Sequence, residues 1–396
     1  MEFTKVSTLI ALLALFMASC TEDNITIDTL NTEINCTVDF QTNTKAASFQ
    51  TLIDNYTEDG FVGMTLLIDN PTDGLWIGAS GYASIEDNIK MNPCNIHHTA
   101  SLYKTYIATV IMQLVDENKI NLEDKLSKYL SSDITDKIPN GNSVSIQSLL
   151  QQRTGIPDIF EIAFITDFFN NPTKQYTIEE LLEYVYDKEP LSEVDTKFHY
   201  SDANFSLLTL VIEKVEGNYI EALKNRIFEP LDLKDTYFLE SMTQTPSGLT
   251  DNYWDRYSDG LIENNSDVQI ALTVGLRGSD GIVTTANDLK TFMQALANGN
   301  LVSTISLMTD FLEVPLETQE REVYSGYGMG LMKVKISGEE WYGHFGNQIG
   351  SGAIVLYNAN KDITIVALQN KGTFFSDEIK GKFFYQLLRD IEGVIF

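Results

Sequence analysis

Apolar and polar positions change rhythm several times along this chain, and each change predicts a different element. Residues 46–58 read as a short helix. Phe61 to Asp69 and Trp76 to Gly81 read as two strands around an Asn70-Pro71-Thr72-Asp73-Gly74 turn. From Ser101 the period becomes helical, with Ile107, Val110, Ile111, Leu114 and Val115 on one face. A mostly helical region follows to about residue 270. Within it, a helix starting near Asn204 carries Phe205, Leu208, Val211, Ile212 and Val215 and is stopped by Gly217. A further helix runs after Gly281 through Asp288 to Leu296. Strand character then returns at Tyr327 to Ile336, Glu340 to His344, Ala353 to Tyr357 and Ile363 to Leu368. A closing amphipathic helix carries Phe383, Phe384, Leu387, Leu388 and Ile391. Strands at both ends and helices between them predict an α+β fold: one antiparallel sheet built from the two ends of the chain, flanked by helices, with a helical lobe inserted at about 105–270.

The first twenty residues have a different logic. Leu9 to Ala18 form a ten-residue apolar run, half of the roughly 20 that a membrane-spanning helix needs, and Ser19-Cys20 follows. This reads as a signal peptide over residues 1–19, with small residues before a cysteine as in a bacterial lipobox. Cys20 is then the acylated first residue, 20–45 a polar tether to the membrane, and 46–396 a single composite domain. The implied location is the bacterial cell envelope. Cys36 and Cys94 are left as a pair that an exporting route permits to oxidise, though the sequence does not show that they meet.

Charge removes one class of partner. With 27 Lys and Arg against 56 Asp and Glu, the formal net charge is −29, which repels phosphate backbones, so nucleic acid is excluded. Four histidines, no HExxH and no CxxC leave little from which to build a metal site. The adjacent His97 and His98 point their rings differently in any regular element and read as core or loop residues. No G-x-S-x-G elbow and no G-x-G-x-x-G loop occur, which argues against an α/β-hydrolase and a dinucleotide site.

Three short motifs carry the chemistry. Ser101 and Lys104 stand at i and i+3 where the long apolar helix begins, a spacing that puts both on one helical face; no other serine of the chain has lysine three positions on. A serine hydroxyl needs a neighbouring base to become a nucleophile, and a lysine desolvated at a helix start is one kind of group suited to that work. The plainer alternative is a capping serine beside a surface lysine. Tyr200-Ser201-Asp202 opens the Phe205–Val215 helix, so that Tyr200 projects from a loop-to-helix junction, or is simply packed there with Asp202 as the cap. His344-Phe345-Gly346-Asn347 ends a strand among glycines at 343, 346, 350 and 352, which implies close approach by another group, such as a ligand, or a glycine-rich turn.

Together these motifs resemble the serine β-lactamase and penicillin-binding superfamily, in particular the branch with class C β-lactamases, D-alanyl-D-alanine carboxypeptidases, D-aminopeptidases and esterases. Its S-x-x-K, Y-x-N and K-T-G or H-x-G signatures read here Ser101-x-x-Lys104, Tyr200-x-Asp202 and His344-x-Gly346. The stretches Thr154-Gly155-Ile156-Pro157-Asp158, Phe228-Glu229-Pro230-Leu231 and Gly281 to Leu289 also resemble family segments, so that the likeness covers roughly 46–392. The resemblance implies a β-lactamase/transpeptidase-like fold and a hydrolase without cofactor or metal. In it Ser101 forms an acyl-enzyme, Lys104 and Tyr200 handle the proton, and the backbone N–H groups of Ser101 and Asn347 form an oxyanion hole. Asp202, His344 and Gly346 would contact the substrate, a small molecule or peptide. Phe345 in place of threonine, Asp202 in place of asparagine and His344 in place of lysine all weaken the grip on a carboxylate. An esterase, D-aminoacyl peptidase or carboxypeptidase-like enzyme is therefore expected ahead of an efficient β-lactamase. The alternative is a catalytically impaired lipoprotein that binds penicillin or peptidoglycan fragments. No long apolar face is left over, so a monomer is expected.

Overall fold

A computed structural model describes Ile34, Cys36 and residues 43–257, 259–315, 323–373 and 377–396. The signal segment, Cys20 and nearly all of the tether lie outside these residues.

The chain enters through α1 (Ala46–Glu58), which buries Phe49, Ile53 and Tyr56. It continues into β1 (Gly63–Asn70), β2 (Gly74–Ser84) and the short β3 (Ile89–Lys90). After the helical lobe it returns through β9 (Leu312–Glu313), β10 (Tyr324–Tyr327), β11 (Met332–Ile336), β12 (Glu339–Asn347), β13 (Gly352–Asn358) and β14 (Ile363–Gln369). The nine strands form one sheet in the order β3-β2-β1-β14-β13-β12-β11-β10-β9. The first long strand meets the last one antiparallel, from Met64 opposite Gln369 to Asp69 opposite Thr364, so the two chain ends are joined in the middle of the sheet.

Both faces are covered. On β1, Met64, Leu66 and Ile68 pack outward with α1 and the C-terminal helices, whereas Leu67 faces the inner core; on β14, Ile365 and Ala367 face outward and Val366 and Leu368 inward. A sheet buried on two sides reads as unbroken apolar sequence, which is why these strands lack a clean alternation.

The inner face carries the helical lobe. Its axis is α2 (Tyr103–Asp116), packed against α4 (Asp202–Glu216), with α3 (Ile162–Asn170) at the rim. Gly217 closes α4 in the left-handed conformation at φ 87°, as its place after the apolar run predicts. After α5 (Ser266–Gly275), α6 (Ala286–Ala297) lies on β13 and β14. Between lobe and sheet sits a small sheet of β4 (His97–His98), β5 (Tyr237–Phe238) and β8 (Ile282–Thr284), with β8 central; a separate hairpin joins β6 (Tyr253–Trp254) to β7 (Glu263–Asn264). His97 and His98 are core residues: Thr65 Oγ1 and Thr273 Oγ1 hold one nitrogen of each, and burial pushes both down to about 3.

One expectation changes, and one question that the sequence left open is answered. The stretch Tyr327 to Ile336 is two strands, because Gly328-Met329-Gly330 turns the chain against α2. A side chain at Gly330 would meet Ala108 Cβ at 2.5 Å, and the Gly330 carbonyl accepts from Thr105 Oγ1 at 2.8 Å. Cys36 and Cys94 do meet and form a disulfide across 58 positions of sequence, with Cα atoms 5.6 Å apart.

Candidate active site

Ser101 sits in a single 3₁₀ turn, Ala100–Leu102, directly before α2. Ala100 is held at φ 50°, a conformation that a residue with a Cβ seldom adopts and that costs about 1–3 kcal/mol. Two contacts hold it there. Thr99 donates through Oγ1 to the Ile282 carbonyl at 2.7 Å, anchoring the turn to β8. On the other side Gly346 of β12 lies so close that a Cβ would come within 2.0 Å of the Thr99 carbonyl oxygen. The glycines of the third motif therefore admit the protein's own backbone: Gly343 likewise faces the Val355 carbonyl, at 1.9 Å from where a Cβ would stand.

One helical turn on, Lys104 donates from Nζ to Ser101 Oγ at 3.1 Å. Its side chain is 0% exposed and pairs with Asp202 Oδ1 at 2.5 Å, while the rings of Tyr200 and Phe205 lie 5.2 and 6.0 Å from the nitrogen. A buried charge is tolerated only when paired and hydrogen-bonded, and Asp202 supplies the counter-charge. The carboxylate that the sequence suggested would repel anions is thus already spent on Lys104.

The Tyr200–Asp202 junction is clamped by the preceding loop. Gln152 Oε1 accepts from the Ser201 backbone N–H at 3.0 Å and from the Asn204 side chain at 2.5 Å, and Thr154 Oγ1 donates to Asn204 Oδ1 at 2.7 Å. Ser201, rather than Asp202, caps α4: its Oγ accepts from the Ala203 N–H at 3.2 Å and donates to the Pro157 carbonyl. The Asp202 N–H donates to Asp158 Oδ1 at 2.8 Å. Burial raises Asp158 to about 7, and the charge of Asp202 adds to the shift.

Ser101, Tyr200, Asp202 and Asn347 line a common cavity of about 270 Å³, together with Phe160, Phe345 and Asp280. Asn347 closes β12 opposite Gly352, and its side chain accepts from Thr373 Oγ1. The expectation that His344 forms a substrate-facing wall is not met. Its ring is 0% exposed and held between Tyr327 Oη at 3.2 Å and the Phe345 carbonyl at 2.8 Å. Burial, aided by the charge of Lys104, lowers it to about 3, so it is a neutral packing residue. Gly346 likewise faces the serine turn, and Phe345, packed on Phe384 at 5.2 Å, takes the wall.

Sequence reading missed roles for Asp158 and Asp280. Asp158 closes one stretch that the sequence singled out and Asp280 adjoins another, so position was legible where function was not. Asp280 lines the cavity at 1% exposure, accepts from the Gly281 N–H at 2.7 Å and from Gln348 Nε2, and is raised by burial to about 7. No three of the histidine, cysteine, aspartate and glutamate side chains among the described residues gather as a metal-holding group.

The sequence model of the family described as "Beta-lactamase" matches residues 49–387. A putative penicillin-binding protein of Bacillus subtilis, PbpX, is 26% identical over 253 residues, covering 63% of this chain and 59% of its own. The chain spans about half to three fifths of the length of the first curated relatives that it matches. Among solved structures, a D-stereospecific amidohydrolase from Streptomyces superposes with a TM-score of 0.72 at 25% identity, covering 85% of this chain and 98% of its own. The D-amino acid amidase of Ochrobactrum anthropi, at 23% identity and TM-score 0.75 over 89% and 98%, shares the fold.

Proposed function

Because this chain belongs to the beta-lactamase family, whose members include serine hydrolases of penicillin-binding type, we propose that it hydrolyses an ester or amide through an acyl-enzyme on Ser101. The observation that carries the reading is the contact of Lys104 Nζ with Ser101 Oγ at 3.1 Å inside the cavity wall. Ser101 Oγ attacks the carbonyl carbon as its proton leaves. Lys104 is engaged as a donor to Oγ and as the partner of Asp202, so it orients and polarises the hydroxyl, and Tyr200, acting as the phenolate beside the Lys104 ammonium, receives the proton. The resulting oxyanion is met by the backbone N–H groups of Ser101 and Asn347, where loss of one such donor typically costs about 10²–10³ in rate. Tyr200 returns the proton to the departing amine or alcohol as the bond breaks. Water then adds to the ester carbonyl, gives its proton to Tyr200, and the acid leaves as Ser101 regains its hydrogen.

The cavity favours substrates without a carboxylate at the third motif, since Phe345 is apolar and His344 is neutral and enclosed. D-amino acid amides, esters and short peptides are the substrates to test first, in keeping with the amidohydrolase named above. We also place the protein in the cell envelope with its lipid on Cys20; the disulfide supports an oxidising compartment. The intact mass of the membrane-extracted chain should show the signal peptide gone and acyl groups added.

The full chain in detergent, as wild type and Ser101→Ala, is offered a small chromogenic ester and its intact mass is followed. Turnover that disappears in the variant is expected. A stoichiometric adduct without turnover would favour the impaired, ligand-capturing reading. Equal activity of the two proteins would remove Ser101 from the chemistry.

A further inference from the structure

Resting on that reading of Ser101, the cavity itself narrows the substrate. Its wall presents three carboxylates, of Asp158, Asp202 and Asp280, and one cationic side chain, Lys380, which is half-buried on the outer helix. Asp202 is matched by Lys104. Asp158 spends Oδ1 on the Asp202 N–H. Asp280 differs from both in how it is built. The loop that carries it folds back on the end of α5, with Ser279 and Asp280 N–H groups donating to the Leu276 carbonyl at 3.0 Å each. Gly281 beside it stands at φ 133°, and any Cβ there would strike the Phe238 ring at 2.4 Å, so the loop has one backbone path.

A chain of buried amides then fixes the carboxylate. Gln348 Nε2 donates to Asp280 Oδ2, Gln269 Nε2 donates to Gln348 Oε1, and Gln269 Oε1 accepts from the Gly350 N–H at 2.9 Å. Thr273 Oγ1 accepts from Gln269 at 3.2 Å and meets His98 Nδ1 at 2.9 Å. The bonds from the Gly350 N–H through Gln269 and Gln348 end on Asp280 as acceptor, while Gln269 also donates to Thr273 on its other side. A carboxylate has about four acceptor positions, and here two are filled by protein. The nucleophile is near: two residues after Asp280, the Ile282 carbonyl is bonded to Thr99, two residues before Ser101.

We propose that Asp280 is the anchor for a positively charged amino group of the substrate, held beside the scissile carbonyl. The substrate class is then an amine-bearing amide or ester, such as an aminoacyl compound with a free α-amino group. A buried anchor of this kind discriminates strongly, because an analogue without the ammonium leaves the carboxylate desolvated and unmatched.

The full chain is assayed on p-nitroanilides of glycine, alanine and phenylalanine in both configurations, each as the free amine and as its N-acetyl form, with p-nitrophenyl acetate alongside. The best free-amine substrate should exceed its acetylated twin by about tenfold or more in kcat/KM, and Asp280→Asn should bring that ratio close to one. On wild type alone, benzylamine should inhibit acetate hydrolysis at about tenfold lower concentration than benzyl alcohol, with benzoate weaker than either; this arm stands even if the variant fails to fold. A ratio near one in wild type, a ratio retained by Asp280→Asn, inhibition by benzoate matching benzylamine, or acetate hydrolysis with no anilide cleaved would each overturn the amine anchor while leaving Ser101 in place. Acetate hydrolysis surviving Ser101→Ala would instead overturn the reading on which it rests.

Discussion

Ser101, Lys104 and Tyr200 were legible as single residues because spacing alone brings i and i+3 together on a helix, and a loop-to-helix junction exposes what stands on it. His344 was misread for the opposite reason: a strand position does not disclose which of its faces is enclosed. The structure gives that residue a testable signature. An imidazole held at about 3 refuses a proton that the unfolded chain accepts near 6.5, so its contribution to stability is present above that pH and is lost as the pH falls. Asp158 and Asp280, raised to about 7, work in the contrary direction, favouring the folded state below that value. Replacing His344 by Gln removes the first effect alone. The loss of unfolding free energy between about pH 7 and pH 5, measured by urea titration, should shrink by about 2 kcal/mol relative to wild type. An unchanged loss would mean that the ring titrates normally in the fold.

At the scale of elements, the site is a junction of three backbones: the serine turn, the end of β12 and the start of β8. Strand and helix positions were readable from period, including the stop of α4 at Gly217. The close approach of β12 to the turn was signalled by its glycines, yet which group approached was not, since the Thr99 carbonyl lies some 250 positions away along the chain. Gly346→Ala tests the junction. Its Cβ would meet backbone, which cannot swing aside, so the turn must shift. A displacement near 1 Å costs about 10² in rate. We expect kcat/KM for the chromogenic ester to fall by that order, with the far-ultraviolet circular dichroism unchanged. Wild-type activity in a folded Gly346→Ala protein would show that the turn has slack.

For the whole molecule, the disulfide ties Cys36, ahead of α1, to Cys94 in the loop before β4. Cross-linking of this kind stabilises by about 2–4 kcal/mol, mainly by restricting the unfolded chain. Cys36→Ser with Cys94→Ser should lower stability by that amount while kcat/KM at room temperature stays as it was, because neither cysteine borders the cavity. An equal melting temperature in oxidised and reduced wild type would refute a stabilising role. The sequence by itself determined the architecture: hydrophobic period, glycine stops and apolar strands at both ends are local properties, and burial of apolar surface leaves few ways to combine them. It also determined the pairing of Ser101 with Lys104, which one helical turn brings together. Only the tertiary structure decided that Asp202 neutralises Lys104, that His344 is enclosed, that Cys36 reaches Cys94, and that Asp280 faces the cavity. Each of these depends on residues far apart in sequence whose charge and exposure are set by neighbours they acquire on folding.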